Sequence, residues 1–286
     1  MPLTVDSHHH FWDTSDTRFD YYWMTDDLAA IRGRYGPDEL RPWLVANGVD
    51  RTVVVQTIPN LEETKGFLAT AAATDFVAGV VGWVDLTDPS VADTIAELRA
   101  RPDGRKLVSI RHQAHDEADP EWLLRPDVQR GIAAVLQAGL AYDVLVRSRE
   151  LPAALALVRS IPDGRFVVDH IAKPNIKDHE IEPWASRMRP LADHPGVFVK
   201  VSGMVTEADW SAWAPEDLVP YVGRLLEWFG PERLMFGSDW PVCQLAGTYS
   251  QVHAAALHAI GDVSVAERDR IMGGTAAAAY GLHLEG

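Results

Sequence analysis

Leu234-Met235-Phe236-Gly237-Ser238-Asp239-Trp240-Pro241 reads as a short apolar β run that ends in Gly-Ser and then presents one carboxylate, with Trp-Pro closing the turn behind it. A core strand that gives way to a loop in this manner is where barrel enzymes keep their chemistry. Far away in the chain, Val5-Asp6-Ser7-His8-His9-His10 leaves a short apolar run in the same way. Side chains alternate faces along a strand, so His8 and His10 share one face while His9 takes the other and is structural. His8 and His10 are therefore candidates to hold one metal ion or one substrate together, with Asp239 facing them across a closed sheet.

Between these two stretches the chain alternates. Runs with β character at 51–56, 77–84, 107–111, 140–146, 165–170 and 197–202 bring the total to eight, and helical patterns fall between them. Helices are expected from about 37, over 62–73, from about 89, over 120–138, from 148, over 184–192 and over 215–229, with Ala- and Leu-rich helical segments after Asp239. Strand, helix, strand repeated in this way implies parallel strands with helices outside, and eight units fit an α/β fold of the (β/α)₈ barrel type. A doubly wound open sheet is the competitor. It would usually show a Gly-rich phosphate turn after an early strand, and no G-x-G-x-x-G or Walker sequence occurs here. One segment breaks the alternation: 11–37 is rich in aromatics and lacks helical periodicity, as expected of a lid or a pocket wall.

The 286 residues suit one barrel domain over 1–286, with no shift in composition that would mark a linker. A net charge of −15 argues against nucleic acid or an anionic membrane as partner, because both require clustered Lys and Arg. It leaves room for a small molecule held by one or two arginines. Cys243 is the single cysteine, no basic segment followed by an apolar stretch opens the chain, and no run is long enough to span a bilayer. These features imply a cytoplasmic protein, monomeric or homodimeric.

If the barrel is right, the C-terminal ends of its strands carry His8, His10, Gln56, Asp85, Arg111, His112, the segment 142–147, His170, Lys200 and Asp239. Burying so many polar groups without partners would cost about 1–3 kcal/mol each, which favours a working site over a merely structural mouth. Bland readings stand beside the functional ones. His8 and His10 could be interior histidines bonded to each other, Arg111 could pair with Asp85, and Lys200 could pair with a neighbouring acid. Trp23 fits a pocket wall, and Gln56 and Lys200 could read hydroxyls. Of the other histidines only His112 is a candidate for the site; His115, His179, His194, His253, His258 and His283 are expected at the surface or in structural roles. Cys243 beside Val242 suggests an unreactive thiol.

His8-x-His10 at the first strand end, His170 at the sixth and Asp239 at the eighth resemble the amidohydrolase superfamily. Further stretches narrow the likeness: residues 5–13, Tyr22-Trp23, Ser109-Ile110-Arg111-His112-Gln113, Asp169-His170-Ile171-Ala172-Lys173-Pro174, Lys200-Val201-Ser202-Gly203 and residues 237–241 look like the sugar-lactonase branch. That branch holds L-fuconolactonase-like and L-rhamnonolactonase-like enzymes, with 2-pyrone-4,6-dicarboxylate lactonase as a more distant relative. The resemblance covers essentially the whole chain. It implies hydrolysis of a lactone ester, with Asp239 as the base that activates water, His8, His10 and His170 polarising the carbonyl or holding a divalent ion, zinc first, and Arg111 and Tyr142 binding substrate oxygens. In one respect the chain departs from the superfamily. The bridging carboxylated lysine or Glu of strand four and the His of strand five are replaced by Arg111 and the segment 142–147, so a two-metal centre lacks ligands. One metal ion on His8, His10 and Asp239 remains, or none. The competing readings are a metal-dependent decarboxylase of a small aromatic or unsaturated acid on the same scaffold, and a barrel that only binds its ligand.

Overall fold

Eight strands close into a ring in the computed structural model, which describes residues 2–284. They are β1 (Val5–His9), β2 (Arg51–Val55), β3 (Val77–Gly82), β4 (Leu107–His112), β5 (Ala141–Val144), β6 (Phe166–Val168), β7 (Val197–Val201) and β8 (Leu234–Phe236). Neighbours follow chain order and every adjacent pair is parallel, with Val5 beside Arg51, Ile110 beside Tyr142 and Phe236 beside Val201. The seam between β1 and β8 is stitched by Ser7 Oγ donating to the Phe236 carbonyl at 2.6 Å, Asp239 N to the His8 carbonyl at 2.8 Å and His10 N to the Trp240 carbonyl at 2.7 Å. Asp6 backs the seam from outside the ring. It accepts from Ser238 N, Ser238 Oγ and Tyr249 Oη at 2.9, 2.6 and 3.0 Å.

Helices fill the crossovers: α1 (Pro37–Asn47), α2 (Leu61–Ala73), α3 (Val91–Ala100), α4 (Pro126–Gln137), α5 (Leu151–Ser160), α6 (Trp184–Met188) and α7 (Pro215–Phe229), followed after β8 by α8 (Tyr249–Ile260), α9 (Val265–Asp269) and α10 (Thr275–Tyr280). Proline in the first turn starts α1, α4, α5 and α7, where a missing N–H costs nothing. That preference explains the late start of α4. The helix expected from residue 120 begins at Pro126, after a 3₁₀ turn at Trp122–Leu124. The aromatic segment 11–37 folds over the C-terminal face of the barrel. It contains a two-residue ladder, Trp12–Asp13 against Arg34–Tyr35, and a 3₁₀ turn, Asp26–Ile31, around a small core of Trp12, Met24 and Ile31.

Two apolar layers follow from strand alternation. Val54, Ile110, Tyr142, Val144, Val168 and Val199 face outward into the helices. Val53, Val55, Val81, Ala141 and Val167 face inward, where Ala276, Ala279 and Tyr280 of α10 plug the N-terminal end of the ring. In β1 the pairing is irregular between Asp6 and His9. That irregularity lets Val5 and His8 share the inner face although three residues separate them.

Gly131 of α4 lies so close to the loop after β3 that a Cβ would meet the Leu86 carbonyl oxygen at 2.2 Å. Gly131→Ala is expected to destabilise the fold by at least about 1–3 kcal/mol through overpacking. Thermal denaturation followed by circular dichroism should show a lower Tm with the native spectrum retained at low temperature.

Candidate active site

The inner face at the top of the ring gathers side chains from six strand ends. His8 Nε2 lies 3.2 Å from His10 Nε2 and 3.9 Å from Asp239 Oδ1. His10 Nε2 is 3.5 Å and His170 Nε2 3.9 Å from the same carboxylate oxygen. All four groups are at least 95 % buried. Burial disfavours the charged imidazole, so His8, His10 and His170 are all held below the usual histidine value of 6.5. Burial alone would raise Asp239, but His170 and His10 outweigh it and keep the carboxyl below 3.8. The resting site at neutral pH is a carboxylate among three neutral imidazoles.

Beneath it lies a layer of paired charges inside the ring. Lys200 has no exposed surface; its Nζ stands 2.6 Å from Asp143 Oδ2, 2.9 Å from Asp169 Oδ1 and 3.1 Å from His8 Nδ1. Arg111 Nη1 donates to Asp169 Oδ2 at 2.9 Å and lies 3.3 Å from His8 Nε2, while Nη2 donates to the Gln56 carbonyl. Asp143 also accepts from Ser109 Oγ and Tyr280 Oη, both at 2.7 Å. Burial raises Asp169, but Lys200, His8 and Arg111 override it and hold the carboxyl well below the usual range.

His170 reaches the site by a strained route. His170, Ile171, Ala172 and Lys173 all have φ between 48° and 59°. Each such residue costs an L-amino acid about 1–2 kcal/mol, so the surroundings must hold the turn. Lys173 N donates to the His170 carbonyl at 2.8 Å, Trp184 Nε1 to the Ile171 carbonyl at 2.6 Å and Lys173 Nζ to Glu207 Oε1 at 2.6 Å. His170 Nδ1 is 3.0 Å from Ser202 Oγ. Gly203 makes room for the ring: at φ +60° its Cβ would stand 2.4 Å from His170 Nδ1.

A cavity of about 340 Å³ opens above these groups. His10, Arg111, His170 and Asp239 form part of its lining, and Trp23 stands in its wall. The other residues expected to bind substrate sit elsewhere. Lys200 belongs to the buried charge layer. Tyr142 faces outward among the helices, without exposed surface and with no partner for its hydroxyl. His112, on the outward face of β4, stacks on Trp122 at 4.2 Å between ring centres and is bonded to Trp83 Nε1 and Glu117 Oε1. Gln56 is buried and donates to the Arg111 carbonyl and Gln113 Oε1. Arg111 pairs with Asp169 rather than with Asp85, which is bonded to Thr87. Cys243 is buried and its thiol is pushed well above the usual value by burial.

The cavity also takes residues that were not expected there. His115 lines it, with burial lowering its pKa to about 3. So do Lys173 and Glu207, from the loops after β6 and β7, beside Arg147, which ends the segment 142–147 expected at the mouth. Lys173 had a signal in the sequence, three residues beyond His170 in the same turn; Glu207 had none.

The donor set fits one divalent ion. His8, His170 and Asp239 bring ligand atoms within 4.8 Å of one another. The 3.2 Å between His8 Nε2 and His10 Nε2 is close to the separation of about 3.3 Å that two ligand atoms have on a tetrahedral zinc with bonds of about 2.0–2.1 Å. His10 Nδ1, 2.8 Å from the Val55 carbonyl, must carry its proton, which leaves the Nε2 lone pair facing inward. His8 Nδ1 lies between Asp169 Oδ1 at 3.4 Å and Lys200 Nζ at 3.1 Å, and its Nε2 faces the same cluster.

A ring of eight parallel strands with histidines at the end of β1 and just after β6 and an aspartate after β8 defines the amidohydrolase class, and a family model described as Amidohydrolase matches residues 5–282. The chain belongs to that family. It is 43% identical to the L-fucono-1,5-lactonase of Burkholderia ambifaria over 257 residues, covering 89% of this chain and 86% of the relative. It is 37% identical to the L-fucono-1,5-lactonase of Burkholderia multivorans over 291 residues, covering 98% and 96%. A crystal structure of a Burkholderia multivorans amidohydrolase with bound zinc superposes with a TM-score of 0.90 at 38% identity, covering 98% of this chain and all of that one.

The second ring nitrogen of each histidine sets its orientation. Ser202→Ala removes the partner of His170 Nδ1 and is expected to weaken zinc binding about 10- to 100-fold. Competition titration against a chromophoric chelator would measure it; unchanged affinity would remove His170 from the metal site.

Proposed function

We propose that this chain is a lactonase that opens the ring of a sugar-derived aldonolactone of the L-fucono type, working as one barrel domain in the cytoplasm. One observation carries the reading: a buried carboxylate within 3.9 Å of three buried imidazoles at the floor of a cavity of about 340 Å³, large enough for one sugar ring. Relatives named as L-fucono-1,5-lactonases, at 43% and 37% identity, support the substrate class. Among the described residues no helix is long and apolar enough to cross a membrane, and the partner is a small molecule.

Ester hydrolysis needs a base for water and a positive field for the developing oxyanion. Asp239 takes a proton from water as the water oxygen bonds to the lactone carbonyl carbon. Arg111 and His170, both lining the cavity, face the carbonyl oxygen as it gains charge. The ring C–O bond then breaks, and Asp239 returns the proton to the departing oxygen, leaving an aldonate with a free hydroxyl. His8, His10, His170 and Asp239 would hold a divalent ion, which supplies Lewis acidity and lowers the pKa of water when bound. Trp23 gives the ring a flat wall. Lys200, Gln56, Tyr142 and His112 support the frame around the cavity.

Asp239→Asn is expected to lower kcat for L-fuconolactone about 10²–10⁴-fold with the fold intact. Chelation of the wild type should abolish acid release, followed with a pH indicator, and added zinc should restore it. Activity that survives chelation but vanishes in Asp239→Asn would mean that the imidazoles and Arg111 suffice. The pH profile has a definite sign: as pH falls the working state is lost by protonation of imidazole or carboxylate, and both kinds of group are shifted downward. The acid limb of kcat/KM should therefore lie below 6.5, the ordinary histidine value.

A further inference from the structure

Three residues of the cavity wall that the chemistry above does not use form one bonded unit. Lys173 Nζ is 2.6 Å from Glu207 Oε1, and Arg147 Nη1 is 3.0 Å from Glu207 Oε2. The loops after β5, β6 and β7 supply one member each, so the unit bridges three strand ends beside His170. It is fixed from behind. Lys177 N donates to the Glu207 carbonyl at 2.9 Å, Thr206 Oγ1 to the Gly203 carbonyl at 3.0 Å and Arg147 N to Glu150 Oε2 at 3.0 Å. The left-handed turn makes Lys173 part of the site, since it aims His170 and Lys173 into the same cavity.

We infer that Lys173, Glu207 and Arg147 are the specificity-determining arm that reads the hydroxyls of the lactone ring, an inference that rests on the lactonase reading. Donor, acceptor, donor in a row matches a polyhydroxylated edge. Each Glu207 oxygen has one cationic partner and keeps a lone pair for a hydroxyl proton, while the ammonium and guanidinium retain N–H groups for hydroxyl oxygens. The charge balance suits a neutral ring. Three cations, Lys173, Arg147 and Arg111, face three carboxylates, Glu207, Asp116 and Asp239, on the same cavity, so the wall has no surplus positive charge to attract a substrate carboxylate.

Another part of the cavity lining fixes the orientation. Trp23, Leu28, Val242 and Leu245, from the loops after β1 and β8, pack on one small apolar core. Leu28, Val242 and Leu245 offer no side-chain hydrogen bond, so a hydroxyl turned to them would lose its partner in water without replacement. The hydroxylated edge of the ring belongs on the charged arm, and a C–H or methyl edge on this wall.

The test compares two lactones with the same ester, L-fuconolactone and δ-valerolactone, which has no hydroxyls. In Glu207→Gln and in Arg147→Met, whose half-exposed guanidinium lies outside the buried charge layer, kcat/KM for the sugar lactone should fall about 10- to 100-fold, mainly through KM. For δ-valerolactone it should stay within about threefold. Calorimetric titration with the ring-opened products reads binding alone: L-fuconate should weaken in both variants, and 5-hydroxypentanoate should not. Equal losses on both lactones, or no loss on the sugar lactone, would overturn the recognition role while leaving the lactonase reading in place. A wild type that hydrolyses neither lactone would remove the lactonase reading and the arm's role with it.

Discussion

Inside the ring, Lys200 and Arg111 are matched against Asp143 and Asp169 with almost no water to soften the charges. Removing one partner of such a pair costs about 3–5 kcal/mol, because the other charge is left buried alone. The layer therefore constrains everything above it. His8 touches both of its cations and one of its carboxylates, and Arg111 belongs at once to the layer and to the cavity. Tyr280 extends the constraint downward, linking the plug at the N-terminal end to Asp143. The geometry of the histidine–aspartate cluster and the stability of the barrel share the same atoms.

The site has a rigid half and a shaped half. Strand ends and the seam between β1 and β8 hold Asp239 and the three histidines, while loops of unequal length supply the walls. Strand alternation decides membership: Arg111 points in, and Ile110 and His112 on the same strand point out. A one-residue change of phase in β1 would exchange His8 for His9, whose ring instead bonds Thr52 at 2.8 Å.

Much of this was legible in the sequence. Eight β runs separated by helical patterns gave the barrel, because periodicity reports which face an element buries. Asp239, His170, His8 and His10 could be placed because each ends an apolar run. Roles that depend on the phase of a strand were harder to read. Tyr142 sits one residue from the inward Asp143, and only the pairing register tells them apart. Lys200 reads equally as the partner of an acid or as a reader of hydroxyls until its three buried partners are seen around it. Glu207 and His115 lie on loops whose paths no local pattern specifies, and four consecutive left-handed residues at 170–173 carry no glycine to announce them.

The seam has a consequence for how the enzyme comes into being. The histidine pair arrives with the first strand and the carboxylate only after the last, and the hydrogen bonds that set Asp239 beside His8 are those that close the ring. No partial chain can assemble the histidine–aspartate cluster, however much of the sheet it has formed. The cluster is thus absent during synthesis and early folding, and its assembly marks completion of the barrel.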